Sequence, residues 1–112
     1  MTLTLWHNPR CAKSREALDL LLARGQCPAI RLYLEDPPSP AELQEVLHKL
    51  GKPAFARTGD DAFRALDLPA DVDDARIIRA LAANPRLIER PLLMHGAKAA
   101  IGRPPEAILS IL

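Results

Sequence analysis

Eleven prolines divide this 112-residue chain into short segments, and they limit its fold more than any other feature. Proline cannot continue a helix and is excluded from the middle of a central strand, so helices and strands must be short and end near these positions. The prolines are scattered along the chain rather than gathered into a linker. The length suits one hydrophobic core, and we therefore expect a single domain over residues 1–112.

Between these breaks the apolar residues switch between the strand period and the helix period. The pattern predicts strands at 2–6, 29–34, 91–94 and 97–101, and helices at 12–24, 40–50, 60–67, 73–83 and 104–112. In the second strand it places Ile30, Leu32 and Leu34 on one face, and it places the hairpin turn at His95-Gly96. This order, β-α-β, then helices, then β-β-α, predicts an α/β thioredoxin-like fold with a helical insertion at about residues 39–85.

Composition excludes several classes of function. A formal net charge of +1 does not favour a nucleic-acid binder, and no apolar run is long enough for a membrane span. The N-terminus lacks the pattern of a signal peptide, and two cysteines cannot build a disulfide scaffold. We expect a cytoplasmic monomer that binds neither nucleic acid nor a membrane.

The most informative residue is Cys11, which lies where the first strand gives way to the first helix. Backbone N–H groups at a helix N-terminus favour negative charge, and nearby cations lower the pKa of a thiol toward the reactive thiolate. Four basic or titratable neighbours could supply positive charge: His7, Arg10, Lys13 and Arg15. The alternative is a small residue that closes a turn among solvated charges. A buried structural cysteine is not usually surrounded by charge, so we favour a reactive thiol.

Three sharper cysteine patterns are excluded. A tyrosine-phosphatase loop requires arginine six residues after its cysteine, where this chain has Ala17. A dithiol redox motif requires a second cysteine at the position of Ser14, and no spacing among histidines and cysteines fits a metal site. Cys11 therefore belongs to a monothiol version of the C-x-x-C motif, with no metal.

Four motifs are similar to those of the glutaredoxin-dependent arsenate reductase family. They are His7-Asn8-Pro9-x-Cys11-x-x-Ser14-Arg15, Leu32-Tyr33-Leu34-Glu35, Glu89-Arg90-Pro91 and Gly102-Arg103-Pro104. The resemblance covers nearly the whole chain and implies the thioredoxin-like fold that the pattern also predicts. It also implies a cis-proline at Arg90-Pro91, facing the cysteine.

The resemblance implies that Cys11 attacks arsenate while three arginines hold the oxyanion. Two of them are Arg90 and Arg103, and counting back from Leu66-Asp67-Leu68 places the third at Arg57, within a loop at 52–59 that looks shortened. Guanidinium groups relieve the repulsion between thiolate and oxyanion and bind the oxygens in bidentate fashion. His7 either tunes the surroundings of Cys11 or caps the turn.

Ser14 implies that the reducing electrons come from outside the chain. A serine hydroxyl can hydrogen-bond a thiolate but cannot form a disulfide with it. We expect no bound cofactor, glutathione as co-substrate, and glutaredoxin to release the enzyme by thiol–disulfide exchange. Two alternatives remain: a glutathione-linked thiol oxidoreductase without an arsenate role, and an RNA-polymerase-binding redox regulator of a related group, which typically needs the C-x-x-C switch that Ser14 removes.

Overall fold

Four short strands form the central sheet of the computed structural model, which describes residues 2–51, 56–57, 59–69 and 71–112. They are β1 (Leu3–Trp6), β2 (Ala29–Arg31), β3 (Leu92–His95) and β4 (Lys98–Ile101), in the spatial order β2-β1-β3-β4. β1 pairs with β2 in parallel, and β3 pairs antiparallel with both β1 and β4. The predicted thioredoxin-like order of β-α-β followed by β-β-α is confirmed.

The helices begin and end where the sequence supplies caps. They are α1 (Ala12–Ala23), α2 (Pro40–Leu50), α3 (Asp61–Arg64) and α4 (Asp74–Ala83), with 3-10 helices at Pro85–Leu87 and Pro105–Ile111. At α2, Ser39 and Glu42 form a capping box, and Gly51 ends the helix in the left-handed region at φ +79°. The Asp73 side chain caps α4 in the same way, by accepting a hydrogen bond from the Arg76 backbone.

Each face of the sheet packs against its own hydrophobic cluster, because neighbouring strand residues point to opposite faces. On one face, Leu5 and Leu93 contact α1 and the C-terminal 3-10 helix; the buried cluster is Leu5, Ala17, Leu21, Leu93, Ile108 and Ile111. On the other face, Trp6 and Leu92 pack with α2 and α4. The alternation Leu5-Trp6 in β1 and Leu92-Leu93 in β3 therefore fixes which helices cover which side.

The second strand is shorter than predicted, and the face that carries its apolar residues is exposed. β2 ends at Arg31, and the backbone then turns, with the N–H groups of Glu35 and Asp36 both donating to the carbonyl of Leu32. Ile30, Leu32 and Leu34, which the pattern placed on one face, are 44%, 36% and 44% exposed. Tyr33 is buried instead, on the face of the sheet that carries Trp6, against which its ring stacks.

Smaller corrections concern the predicted ends of elements. The hairpin turns at Gly96-Ala97 rather than at His95-Gly96, since His95 still pairs with Lys98. The segment 60–67 holds only one turn of helix, α3, and the last helix is a 3-10 helix. Ile108 and Ile111 are both buried there, and their spacing of three residues matches the 3-10 period. Within the described residues, no helix has the length and apolar character needed to cross a membrane.

Candidate active site

Cys11 is the N-cap residue of α1, which confirms its predicted place at the junction of strand and helix. Its backbone is extended, at φ −96° and ψ 122°, and its N–H donates to the Asn8 carbonyl at 2.9 Å. The side chain is partly buried. The fold therefore presents this thiol beside the first free backbone N–H groups of a helix.

The pKa of the Cys11 thiol is lowered from its ordinary value. Partial burial acts in the opposite direction and raises the pKa. Hydrogen bonding from the Ser14 backbone, hydrogen bonding and positive charge from Arg90, and hydrogen bonding from the Lys13 backbone together outweigh it. Amides and a guanidinium thus stabilise the thiolate, which is the nucleophilic form of cysteine.

The positive charge does not come from the neighbours that the sequence suggested. Arg10 is exposed, Arg15 donates to the Pro9 carbonyl at 2.8 Å, and Lys13 pairs with Glu16 at 3.6 Å. His7 is buried, and burial, followed by the charge of Arg15, lowers the pKa of its imidazole, so it is neutral near pH 7. The charge that lowers the pKa of Cys11 is that of Arg90, while these neighbouring side chains lie toward solvent, the loop backbone or the core.

His7 and Ser14 instead fix the loop that carries the thiol. His7 Nδ1 lies 2.6 Å from the Ser14 hydroxyl, which also accepts a hydrogen bond from the Asn8 N–H at 3.1 Å. Both side chains are buried, so these bonds join the end of β1 to the first turn of α1. The Ser14 hydroxyl, which we expected near the thiolate, is thus engaged by His7 and Asn8, and Ser14 lowers the pKa of Cys11 through its backbone.

Arg90 lies beside Cys11 in the way that the motif implied. Its Nε and Nη1 atoms are buried and have no hydrogen-bond partner within the described part of the chain. Buried guanidinium nitrogens without a partner are rare because their desolvation is costly. This group is therefore suited to an anion bound next to the sulfur.

Arg57 and Arg103 lie together in a second cluster, centred on Glu89. The Nε atoms of Arg57 and Arg103 lie 3.4 Å and 3.7 Å from the same Glu89 oxygen, Oε1. Arg57 also pairs with Asp60 at 3.4 Å. These residues line an open pocket of about 440 Å³. The structure therefore brings Arg57 and Arg103 together, whereas the predicted shortened loop at 52–59 lies largely outside the described residues.

Backbone contacts explain how distant segments meet at this cluster. Ala56 forms an antiparallel bridge with Ile88, and the Arg57 N–H donates to the Leu87 carbonyl at 2.7 Å. On the other side, Arg103 Nε donates to the Arg90 carbonyl at 3.0 Å. The segments before β3 and after β4 are thus tied to each other and to residues 56–57.

A close approach joins the two arginine-proline pairs. The Gly102 N–H donates to the Pro91 carbonyl at 2.9 Å, and a Cβ at Gly102 would lie 2.5 Å from Pro91 Cγ. Only glycine leaves room for this contact. Both Arg90-Pro91 and Arg103-Pro104 are cis peptide bonds, the first as the resemblance implied and the second unforeseen.

Comparison with known proteins assigns the family. A model of the ArsC family matches residues 6–111. The chain belongs to the ArsC family. It is 43% identical to an arsenate reductase of Haemophilus influenzae over the full length of both proteins, and 41% identical to one of Neisseria meningitidis over 96% of each. The solved structure of an arsenate reductase from Vibrio cholerae superposes with a TM-score of 0.95 at 39% identity, covering 100% of this chain and 98% of that one.

Tyr33 belongs to the motif Leu32-Tyr33-Leu34-Glu35 of this ArsC family member, but the sequence assigned it no role. Burial raises the pKa of its phenol to about 12, and the charges of Arg90, Cys11, Arg57 and Glu89 also act on it. The ring stacks on Trp6 with 6.5 Å between centroids. A neutral hydroxyl therefore lies near both the thiol and the Glu89 cluster. The sequence signal for Tyr33 was a single tyrosine between two leucines, and the alternating pattern drew attention to the leucines instead.

Proposed function

We propose that this protein reduces arsenate with Cys11 as its single nucleophilic residue and with Arg57, Arg90 and Arg103 as ligands of the oxyanion. The observation that carries the proposal is Arg90. Its buried Nε and Nη1, which have no hydrogen-bond partner among the residues that the structure describes, adjoin a thiol whose pKa the same guanidinium lowers. One cation thus serves both reactants, and a disulfide substrate would leave the N–H groups of these two nitrogens without a partner.

The first step joins sulfur to arsenic. The Cys11 thiolate attacks arsenate, an S–As bond forms, and one arsenate oxygen leaves as water after taking up protons. Negative charge grows on the remaining oxygens as sulfur approaches. A guanidinium already held beside the sulfur stabilises that charge more than it stabilises the free substrate.

The second step requires a thiol from outside the chain. Cys27 is exposed and follows the far end of α1, a helix about 18 Å long, so it is poorly placed to reach Cys11. A glutathione thiolate attacks the Cys11 sulfur and forms an S–S bond. The electron pair of the broken S–As bond stays on arsenic, which leaves as As(III).

Thiol–disulfide exchange with glutaredoxin completes the cycle. The glutaredoxin thiolate attacks the glutathione sulfur, takes over the mixed disulfide and releases the Cys11 thiolate. No cofactor is bound in this scheme. We expect the reaction in the cytoplasm, where glutathione keeps thiols reduced.

The test is arsenite formation from arsenate with glutathione, with and without glutaredoxin, combined with mass spectrometry of acid-quenched protein. We expect turnover with both thiols and one glutathione attached at Cys11. Cys27→Ser is the matched control and should behave as the wild type. Disulfide exchange without arsenite formation, a Cys11–Cys27 disulfide, or full turnover with thioredoxin alone would contradict the proposal.

A further inference from the structure

Glu89 places a carboxylate inside the cluster proposed to bind an anion. Its Oε1 lies 3.4 Å from Arg57 Nε and 3.7 Å from Arg103 Nε, and the side chain is 25% exposed. The pocket is also lined by Asp60, which pairs with Arg57, and by Asp61, whose side chain is exposed. An anion that enters it meets two cations and, beside both of them, the negative charge of Glu89. The negative charge must therefore affect which anions can stay.

The contacts of Glu89 leave it able to accept a further hydrogen bond. Charge-assisted N–H···O bonds are usually about 2.7–2.9 Å long, and both distances to Oε1 exceed this range. Within the described residues, no hydrogen bond to either Glu89 oxygen is present. A carboxylate oxygen can accept from a donor, but an ionised carboxylate has no proton to donate.

Tetrahedral oxyanions differ in whether they bring such a donor. Arsenate and phosphate keep at least one proton at neutral pH, whereas sulfate keeps none. A protonated oxyanion can point its O–H at Glu89 and its other oxygens at the arginines. A fully deprotonated oxyanion can only set an oxygen against the carboxylate, which repels it.

We propose that Glu89 makes this pocket select tetrahedral oxyanions that carry a proton, by accepting a hydrogen bond from the oxyanion's O–H group. This inference rests on the proposed function, because it assumes that the oxyanion binds among Arg57, Arg90 and Arg103. It adds a specificity-determining residue, since Glu89 contacts the substrate hydroxyl rather than only holding the arginines in place.

The test measures anion binding without arsenate turnover. An anion held among Arg57, Arg90 and Arg103 lies beside Cys11, because Arg90 acts on that thiol, and should slow its alkylation by iodoacetamide. The alkylation rate of the intact protein therefore reports binding. Phosphate and sulfate are titrated separately at matched ionic strength, with Cys27→Ser as the background so that only Cys11 reacts. The variants are Glu89→Gln, Glu89→Asp and, as a matched removal of one exposed carboxylate, Glu106→Gln.

We expect half-protection of the background protein at a phosphate concentration at least tenfold below that for sulfate. Glu89→Gln should shrink this ratio to about twofold, mainly by improving sulfate binding, because an amide can donate to an unprotonated oxygen. Glu89→Asp should keep most of the preference, and Glu106→Gln should keep all of it. A residue that only held the arginines would weaken both anions equally and leave the ratio unchanged.

The possible outcomes distinguish a failure of the role of Glu89 from a failure of the proposed function. Equal protection by phosphate and sulfate, or a preference that survives Glu89→Gln, overturns the role of Glu89 and leaves arsenate reduction standing. No protection by phosphate or by arsenate overturns the oxyanion pocket and the role of Glu89 with it. If Glu89→Gln does not fold, as judged by its melting curve, the ratio in the background protein and in Glu89→Asp decides.

Discussion

The two halves of the candidate site are built in different ways. The half with Cys11 comes from one stretch of nine residues and is fixed by short hydrogen bonds among buried groups, such as that between His7 and Ser14. The half with Arg57, Glu89 and Arg103 comes from three distant segments and is joined by long ion pairs at partly exposed side chains. Arg90 lies between them and acts on Cys11.

This contrast suits the tasks of the two halves. A nucleophile benefits from a fixed position before the substrate arrives, because misplacement lowers the rate. An anion pocket must exchange internal ion pairs for contacts with its ligand, and half-exposed pairs are weak enough to exchange. We therefore expect variants in the first half to affect the chemistry or the fold, and variants in the second to affect affinity and selectivity.

The largest effect should come from Cys11→Ser. Arsenite formation should fall to the background rate, because a serine hydroxyl is not ionised at neutral pH and cannot carry the S–As bond. Cys27→Ser, at an exposed position, should retain at least half of the activity. Turnover by Cys11→Ser would break the contrast, because the nucleophile would then lie elsewhere.

Arg90→Ala should have the next largest effect and should be felt in both halves. We expect a loss of about 3 kcal/mol in kcat/KM, roughly a hundredfold, for a charged hydrogen bond lost at a buried position. The pKa of Cys11 should rise, because both the hydrogen bond and the charge of Arg90 lower it. Alkylation rate against pH measures this shift, and Arg90→Lys should restore part of it. An unchanged alkylation profile would show that Arg90 does not lower the pKa of Cys11.

Arg57→Ala and Arg103→Ala should lower kcat/KM less than Arg90→Ala does and should leave the pKa of Cys11 unchanged. We expect each to lower kcat/KM by about 1.5 kcal/mol, roughly tenfold, mainly through KM. The alkylation profile of Cys11 should stay that of the wild type. Arg64→Ala is a suitable control, because Arg64 is an exposed arginine that pairs with Asp61, three residues before it. A shifted alkylation profile in Arg57→Ala or Arg103→Ala would show that these arginines also act on Cys11, and the two halves would then not be independent.

The smallest effect concerns the pH dependence of stability in the first half. Burial lowers the pKa of His7, so below its ordinary value near 6.5 the unfolded chain binds a proton more readily than the fold does. The stability that His7 contributes is therefore complete above pH 6.5 and is lost as pH falls through the lowered pKa of the fold. Melting temperature against pH should decline less steeply in His7→Asn than in the wild type. His48→Asn, on the exposed side of α2, should match the wild type, and equal slopes in all three proteins would contradict this assignment.

The same contrast explains what could be predicted from the sequence. The position of Cys11 and the βαβ order follow from local signals: alternation in β1, the break at Pro9 and the helical period after it. The identity of the activating cation is not local, because Arg90 approaches from a segment nearly eighty residues away and its charge acts through space. Proximity in sequence favoured Arg10, Lys13 and Arg15, whose side chains point elsewhere.

Tyr33 shows a second limit of local pattern. Alternation placed Leu32 and Leu34 on one face, and both are exposed while Tyr33 is buried, because a period of two does not say which face the core covers. Arg31 bends the chain there, since its guanidinium donates to the carbonyls of Asp36 and Pro37. That contact spans five and six residues and has no periodic signature. Turns set by a side chain are therefore harder to foresee than turns set by glycine or proline.

The register of the β3–β4 hairpin sets the relative positions of two arginines of the site. Arg90 and Arg103 lie just beyond its open end, where Leu92 pairs with Ile101 and the Gly102 N–H binds the Pro91 carbonyl. A change in length at the distant Gly96-Ala97 turn leaves that end in register. One residue inserted within β3 or β4 shifts the pairing by one place and turns the following side chains to the other face. Variation in length among natural or engineered versions of this chain is thus tolerated at the tip of the hairpin and selected against along its arms, although no arm residue touches the pocket.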